Sequence, residues 1–232
     1  MKLGIMQPYF LPYFGYFQLM AAVDIFVVYD NIKFTKKGWI NRNRLLLNGQ
    51  DSIFSLPIKK DSDSLDIVQR VLSTEYNRKK LLAQFNGAYH KAPYFDATFQ
   101  LLERVVDFSS ENLFEYIKNS LIELCRHLEI NTEIRVSSSI PIDHSLKSQN
   151  KVLAICEAMN ADIYINAYGG IELYDKKVFR KNGIDLRFIK SEPFEYDQFN
   201  NPFVPFLSII DILMFNHIDI VKERINLKIE LI

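Results

Sequence analysis

Short apolar runs alternate with amphipathic segments along the chain, and this alternation is the first indication of the fold. Residues 2–6 and 24–29 are apolar runs typical of buried strands, and a helix is predicted between them at about 13–22. Strand, helix and strand within 30 residues form a βαβ unit, whose strands pair in parallel. Later strands are predicted at 133–140, 163–165 and 186–189, and later helices at 145–159, 174–181 and 207–215. The pattern therefore predicts an α/β fold with a mostly parallel, Rossmann-like sheet.

Two blocks interrupt this alternation. Within 31–58, apolar stretches flank Asn48-Gly49, a dipeptide favoured in two-residue turns, which predicts a β-hairpin appended to the sheet. The block 75–129 is helical, with leucine and isoleucine at helical spacing from Leu113 to Leu128 behind a cap expected at Ser109-Ser110-Glu111. We therefore expect an α/β core domain over 1–74 and 130–232 and an inserted helical subdomain over 75–129. The tail 218–232 fits a helix or an edge strand.

Composition narrows the class of protein. The 232 residues carry 28 basic and 28 acidic side chains, and this zero net charge argues against a general nucleic-acid binder. No apolar run approaches the length of a membrane span, and the chain opens on a predicted strand rather than a signal peptide, so we expect a cytoplasmic protein. Cys125 and Cys156 have no metal-ligand spacing, and no metal site is predicted.

The first candidate site is the loop after the first strand, where six aromatic side chains fall between Tyr9 and Phe17. Ligands of parallel α/β sheets bind beyond the carboxyl ends of the strands, and the following helix offers its N terminus to an anion. Gln7 is a candidate for orienting a ligand through its amide, Gly15 permits close backbone approach, and the tyrosines are candidates for stacking on a base or sugar ring. The predicted residues here are Gln7, Tyr9, Tyr13, Gly15 and Tyr16. The alternative is that the rings are core filler around a proline loop.

The second candidate is a basic segment. Five cations and no acidic residue occur between Asn31 and Gln50, in a chain whose net charge is zero. Such a segment suits a phosphate or diphosphate, and neighbouring amides can bind oxyanions and sugar hydroxyls. The predicted substrate-binding residues here are Lys37, Trp39, Asn41, Arg42 and Asn43. The alternative is a solvated hairpin edge that lysines protect from aggregation.

Four further residues are candidates because of their place in the predicted elements. Asp30 ends the second strand, where a carboxylate faces a ligand or caps a turn, and His90 precedes a proline turn. Asn166 and Gly170 follow a later strand in a segment with two glycines, a weak indication of a binding turn. We assign Asp30, Gln7 and His90 as candidate catalytic residues and Asn166 and Gly170 as candidate substrate-binding residues.

The first loop also resembles that of nucleotidylyltransferases with a His-x-Gly-His motif. Pro12-Tyr13-Phe14-Gly15-Tyr16 stands at the corresponding place. The glycine is kept, but both histidines, which stabilise charge on the transferring phosphate, are replaced. The scaffold is therefore compatible with this class, while its chemistry is not supported by the residues present.

A resemblance to one family extends over nearly the whole chain. The chain resembles WbqC-like proteins in several blocks: Ile5–Tyr9 with Pro12 and Gly15-Tyr16-Phe17, Ala22–Asp24, Tyr29-Asp30, Trp39–Asn43, Tyr89 with Lys91–Phe95, Gly170 with Leu173-Tyr174, and Phe203, Pro205, Leu207-Ser208 and Asp211. The resemblance implies a protein encoded in gene clusters for O-antigen and other surface polysaccharides. The neighbouring genes of such clusters typically encode enzymes that make nucleotide-linked amino sugars. It does not by itself imply a particular reaction.

The residues and the resemblance together lead to one hypothesis. We expect a transferase that moves an acyl or aminoacyl group to the amine of a nucleotide-diphosphate sugar. Asp30 would orient or deprotonate the amine, and Arg42 and Lys37 would hold phosphate. No cofactor is expected beyond an activated acyl or aminoacyl donor, and a charged tRNA is one candidate for that donor. A homodimer is a further expectation. The alternatives are nucleotidyl transfer and a non-catalytic carbohydrate-binding or scaffolding protein.

Overall fold

The computed structural model describes residues 1–191, 194–227 and 231–232. Its seven strands are β1 (Lys2–Met6), β2 (Ile25–Val28), β3 (Arg42–Leu47), β4 (Gln50–Ser55), β5 (Glu133–Val136), β6 (Ile163–Ala167) and β7 (Asp185–Ile189). Five of them form one sheet in the order β5-β2-β1-β6-β7, in which every pairing is parallel. Strands β3 and β4 form a separate antiparallel sheet. The predicted α/β class, parallel sheet and hairpin are thus confirmed.

In the described part of the chain, eight α-helices surround these strands. They are α1 (Phe14–Ala21), α2 (Arg78–Tyr89), α3 (Phe95–Val106), α4 (Leu113–His127), α5 (Ser148–Ala158), α6 (Lys176–Lys181), α7 (Ile209–Phe215) and α8 (Ile218–Asn226). Short 3-10 turns lie at Ile67–Gln69, Ser137–Ser139 and Tyr168–Leu173. Among the described residues, no helix has both the length and the apolar character that a membrane crossing requires.

The two faces of the large sheet bury different helices. Alternate side chains of β1 and β2, such as Leu3, Ile5 and Val27, pack with α5 and α6, whereas Phe26 and Val28 pack with α1 on the other face. The chain leaves β1 toward one face and leaves β6 toward the other, although the two strands are neighbours. A crevice between neighbouring strands whose connections diverge in this way is where doubly wound sheets bind ligands, beyond the carboxyl ends of the strands.

The block 75–129 contains α2, α3 and α4, as the periodicity predicted. Their apolar faces belong to the same buried cluster as α1 and β2, and the Cys125 Sγ lies 3.8 Å from the Met20 Sδ. The cap of α4 is Asn112, whose Oδ1 accepts a hydrogen bond from the Glu115 N–H at 3.0 Å, rather than the expected Ser109-Ser110-Glu111. The division into a core domain and a helical subdomain stays a prediction.

The remaining differences concern element ends. In the hairpin, Asn48 and Gly49 have φ values of +52° and +76°, as a two-residue hairpin turn requires. The strand predicted over 133–140 ends at Val136, because a 3-10 turn follows in which Ser137 and Ser138 donate hydrogen bonds to Asp30. The tail forms α8, and Ile232 then exchanges two backbone hydrogen bonds with Phe188 of β7. Residues 228–230 of the predicted tail lie outside the described residues.

Candidate functional site

A pocket of about 240 Å³ opens between the loop after β1 and the hairpin. We name it the aromatic pocket, and its lining residues are Tyr9, Tyr13, Trp39, Asn43, Arg44 and Phe206. Both segments that the sequence analysis selected, 7–17 and 33–44, therefore contribute to one pocket. Phe206, from a third segment, was not predicted. Burial raises the pKa of the Tyr9 and Tyr13 phenols, so both stay protonated at neutral pH.

Backbone hydrogen bonds join the three segments that form the aromatic pocket. The Phe10 N–H donates to the Ile40 carbonyl at 2.9 Å, which ties the first loop to the start of the hairpin. The Ser208 N–H donates to the Arg44 carbonyl at 2.9 Å, and the Ser208 hydroxyl donates to the Leu11 carbonyl at 2.7 Å. The pocket walls are therefore held by main-chain contacts between parts of the chain that are far apart in sequence.

Two guanidinium groups flank the single tryptophan of the pocket. The Cζ atoms of Arg42 and Arg44 lie 5.4 and 5.5 Å from the Trp39 ring centroid, within cation–π range. Arg42 also donates to the Gly38 carbonyl, and Arg44 donates to the Phe206 carbonyl and to the exposed Asp51 carboxylate. The pocket thus combines a flat indole surface with positive charge, which suits a ring that carries a phosphate.

Several predicted residues support the pocket through hydrogen bonds, and of these only Asn43 also belongs to its lining. Asn41 donates its amide to the Leu56 carbonyl at 2.7 Å, and the buried Asn43 donates its amide to the Leu11 carbonyl at 2.8 Å. The Tyr16 side chain is 1% exposed, and its hydroxyl donates to the Gln7 carbonyl at 2.9 Å. These three polar groups therefore fix the conformation of the two loops. Lys37 is exposed, outside the pocket lining.

The N terminus of α1 is closely packed. A Cβ atom built on Gly15 would lie 2.6 Å from the Ser191 Cβ and 2.6 Å from the Tyr13 ring. Glycine is required at this position because the segment after β7 crosses it, which is a packing role. Ser191 and Tyr13 thus occupy the space beside Gly15 at the N terminus of α1, where the sequence analysis expected an anion.

At the carboxyl end of β2, Asp30 is fully buried and its carboxylate is occupied. Oδ1 accepts from the Ser137 hydroxyl at 2.7 Å and from the Ser138 N–H at 2.9 Å, and Oδ2 accepts from the Ser138 hydroxyl at 2.7 Å. Asp30 thereby anchors the turn that follows β5. Gln7 follows β1 at the same edge, where the Tyr29 N–H donates to the Met6 carbonyl at 2.8 Å.

Lys151 of α5 is a polar residue at this edge that the sequence analysis missed. Its side chain is 5% exposed, and its Nζ donates to the Asn31 carbonyl at 2.9 Å and lies 5.2 Å from the Tyr29 ring centroid. Burial lowers the pKa of the Lys151 amine, while the charges of Asp66 and Asp30 oppose this shift. A buried amine with a lowered pKa, next to the carboxyl end of a parallel strand, is a candidate base.

A second polar group lies at the carboxyl end of β6, the strand that pairs with β1 on the side away from β2. The Asn166 amide donates to the Tyr164 hydroxyl at 3.0 Å, and the Tyr164 and Tyr174 rings are 5.7 Å apart. A Cβ on Gly170 would lie 3.1 Å from the Asn166 Nδ2, so Gly170 lets the turn pass close to this amide. The two predicted residues Asn166 and Gly170 thus contact each other at the end of β6.

His90 lies apart from both groups. It is exposed at the C terminus of α2, where its ring nitrogen Nδ1 is 3.2 Å from the Asn86 carbonyl. Within the described residues, no hydrogen bond joins His90 to the lining of the aromatic pocket, to Asp30 or to Lys151. The neighbouring Tyr89, by contrast, is buried and takes part in the network described next.

Beneath the aromatic pocket, a buried carboxylate holds three elements together. Asp211 of α7 accepts hydrogen bonds from the Tyr89 hydroxyl at 2.9 Å, the Tyr196 hydroxyl at 2.6 Å and the Gln198 amide at 2.6 Å. Burial raises the pKa of Asp211, although the three donors oppose the shift. The Tyr89 hydroxyl in turn accepts from the Leu46 N–H of β3 at 2.8 Å. The network positions the hairpin that carries Arg44.

A larger groove of about 1080 Å³ lies between segments 58–60, 71–79 and 110–111. It is open, it mixes basic and acidic side chains, and it contains no residue that the sequence analysis selected. We therefore place the candidate site at the aromatic pocket, where rings and cations converge. No group of three or more His, Cys, Asp or Glu side chains suitable for a metal occurs within the described parts of the chain.

The fold and the pocket together define a doubly wound α/β protein with an aromatic, cationic pocket beside its first strand. The model of the WbqC-like protein family matches residues 7–223, and the chain belongs to that family, as the motif resemblance predicted. It is 26% identical over 223 residues to the "Uncharacterized protein Rv1507c" of Mycobacterium tuberculosis (strain ATCC 25618 / H37Rv), with 93% of each chain covered. No solved structure gives a significant match.

Proposed function

We propose that this protein is a transferase that modifies a nucleotide-linked amino sugar, by acyl or aminoacyl transfer to the sugar amine, in O-antigen or surface-polysaccharide biosynthesis. The observation that carries the proposal is the aromatic pocket, in which Tyr9, Tyr13 and Trp39 meet the Arg44 guanidinium. A volume of about 240 Å³ suits one ring of such a ligand. Aromatic faces bind bases and sugars, and a guanidinium binds phosphate.

The transfer requires a base at the sugar amine. The amine nitrogen forms a bond to the acyl carbon of the donor, the bond from that carbon to its thiol or hydroxyl leaving group breaks, and one amine proton goes to the base. The sequence analysis assigned this role to Asp30, but three hydrogen bonds occupy its carboxylate. We propose Lys151 instead, because it lies at the same end of the sheet: its Nζ is 2.9 Å from the carbonyl of Asn31, the residue that follows Asp30. Its lowered pKa raises the neutral fraction that can accept a proton.

The alternative of nucleotidyl transfer draws less support from the geometry. That reaction would use the N terminus of α1 as a phosphate site, and Ser191 and Tyr13 occupy the space beside Gly15. The alternative of a non-catalytic carbohydrate-binding protein shares the aromatic pocket with the leading proposal. The non-catalytic alternative needs no base, so the effect of Lys151→Met on product formation discriminates between the two.

The proposal is tested by incubating the purified protein with a panel of UDP-, dTDP- and GDP-linked amino sugars and activated donors. The donors include acyl thioesters and aminoacyl-tRNA, and products are detected as mass shifts of the sugar nucleotide. We expect a product with the wild type and formation slower by about 10²–10⁴-fold with Lys151→Met. Binding without any product across the panel would favour the non-catalytic alternative, and pyrophosphate release from nucleoside triphosphates would favour nucleotidyl transfer. Localisation in the cytoplasm and a homodimeric state are parts of the same proposal.

A further inference from the structure

Arg70 presents a buried guanidinium edge without a hydrogen-bond partner. The residue is 3% exposed, and its Nε and Nη2 atoms are buried with no acceptor within the described parts of the chain. These are the only two such side-chain atoms found there. Burial of an unpaired charge is strongly unfavourable, so buried arginines in proteins are normally paired. An anion that accepts from both atoms would compensate this buried charge.

The two unpaired atoms form one binding edge. The N–H bonds of Nε and Nη2 point in the same direction along one side of the planar guanidinium, which is the fork that grips two oxygens of one phosphate or carboxylate. One flat face of the guanidinium rests on the Phe34 ring, with the Arg70 Cζ 5.0 Å from the ring centroid. The backbone of Arg70 is also fixed, because its carbonyl accepts from the Leu113 N–H at 2.9 Å. The edge is therefore pre-oriented.

Two lysines act together with Arg70 on one exposed carboxylate, that of Asp63. Lys36, Arg70 and Lys33 all act on the exposed Asp63 and lower the pKa of its carboxyl, with the hydrogen bond from Lys36 as the largest cause. The Lys36 Nζ lies 2.6 Å from the Asp63 Oδ1. Asp66, the other nearby acid, uses its side chain to accept from the backbone of its own turn. Three cations therefore act on Asp63, and this local concentration of positive charge suits a multiply charged anion.

We propose that Arg70, with Lys33 and Lys36, forms a phosphate-binding site that is separate from the aromatic pocket. The Nε/Nη2 edge takes two oxygens of one phosphoryl group, and the lysines neutralise the remaining charge. The exposed segment 61–64 approaches this site through the Lys36–Asp63 pair, and both members of that pair are more than half exposed. Such a pair is weak, so the segment yields to a ligand, and Asp63 acts as an internal competitor for the same cations.

The test uses inorganic pyrophosphate as the probe and the full chain as the protein. Calorimetric titration and thermal unfolding are recorded at matched ionic strength, with chloride as the reference salt. We expect pyrophosphate to raise the Tm of the wild type, and Arg70→Met to abolish both the shift and the heat of binding. Arg70→Lys keeps the charge but loses the fork, and its affinity should fall about tenfold or more. Asp63→Asn should bind several-fold more tightly, while Asp61→Asn, in the same segment, should bind as the wild type does.

Arg70→Met also has a readout that needs no ligand. Because the guanidinium lacks an internal partner, an apolar side chain of similar length should leave the Tm in phosphate-free buffer unchanged or higher. A strongly lowered Tm would overturn the proposal, since it would mean that water or an internal group satisfies Arg70. The absence of any wild-type response to pyrophosphate, or an equal response in Arg70→Met, would overturn it as well. An equal response to acetate would refute the choice of phosphate. None of these outcomes depends on the transferase proposal.

Discussion

Trp39 is the only tryptophan in the chain, and it lies in the aromatic pocket, so one substitution tests the pocket directly. Trp39→Ala removes the indole surface on which a ring of the ligand would stack. It also removes the two cation–π contacts with Arg42 and Arg44. We expect the variant to fold and to lose affinity for a nucleotide-linked amino sugar.

The magnitudes follow from the contacts. Stacking of a base on an aromatic side chain contributes roughly 1–3 kcal/mol, which corresponds to a weakening of about 5- to 150-fold. The indole is 38% exposed. Its two cation–π contacts are each worth about 0.5–1 kcal/mol at exposed sites, so stability should fall by about 1–2 kcal/mol. For a chain of this length that lowers the Tm by roughly 2–8 °C and leaves the protein folded at 25 °C.

The assay is a titration followed in two ways. In the wild type, quenching or a shift of Trp39 fluorescence reports occupancy without any added label, and calorimetry gives the Kd of both proteins. Trp39→Phe keeps a smaller ring and should weaken binding less than Trp39→Ala. Tyr94→Ala is the matched control, because Tyr94 is a partly exposed aromatic residue that packs on His217, outside the pocket.

One result would refute the reasoning. If Trp39→Ala binds with the wild-type Kd and the fluorescence of the wild type does not respond to the ligand, the aromatic pocket is not the site. An equal loss of affinity in Tyr94→Ala would show that the effect is not local to the pocket.

Three further predictions concern buried polar groups. Lys151→Met should lower kcat/KM about 10²–10⁴-fold. It should also abolish the rise of the rate with pH, which in the wild type levels off below the ordinary lysine pKa of 10.5, while the exposed Lys147→Met keeps both properties. Tyr89→Phe removes one donor to Asp211 and leaves the Leu46 N–H without its acceptor, so urea unfolding should show a loss of about 2–4 kcal/mol, against little change in Tyr168→Phe. The pKa of Asp211 in the folded protein is raised above 3.8, so the stability of the wild type should fall as pH rises from about 3.8 through that folded pKa. Asp211→Asn should lack this pH dependence. A stability curve for the variant that runs parallel to the wild-type curve would contradict the prediction.

The order of elements was predictable because each depends on local periodicity. The apolar runs of β1 and β2, the helix between them and the Asn48-Gly49 turn all follow from residues adjacent in sequence. The end of β5 was not predictable in this way. The predicted strand stops at Val136 because Ser137 and Ser138 bind Asp30, which is 107 and 108 residues away. Contacts of that separation leave no periodic signal.

The candidate site was partly predictable. The concentration of rings and cations in two segments indicated the aromatic pocket, and the missing contributor Phe206 comes from an irregular loop without a pattern. Lys151 and Asp211 did carry a signal that was overlooked. Lys151 stands four residues before Ile155 on the buried stripe of α5, and Asp211 is the single charge within the apolar helix α7. A charged residue on an apolar helical face is expected to have a specific partner.

Asp30 and Asp211 are buried carboxylates in the segments that resemble the WbqC-like family, and their contacts change how variants of this family should be interpreted. Asp30 and Asp211 belong to the residue types that suggest catalysis, yet each accepts three hydrogen bonds and joins segments more than a hundred residues apart. Removal of either leaves several buried donors unsatisfied, at about 1–3 kcal/mol each, which is a large part of the stability of a typical domain. Loss of activity in such variants therefore reports loss of the scaffold. Only partly exposed residues such as Trp39 and Arg44, or Lys151 with its pH profile, separate binding and chemistry from folding.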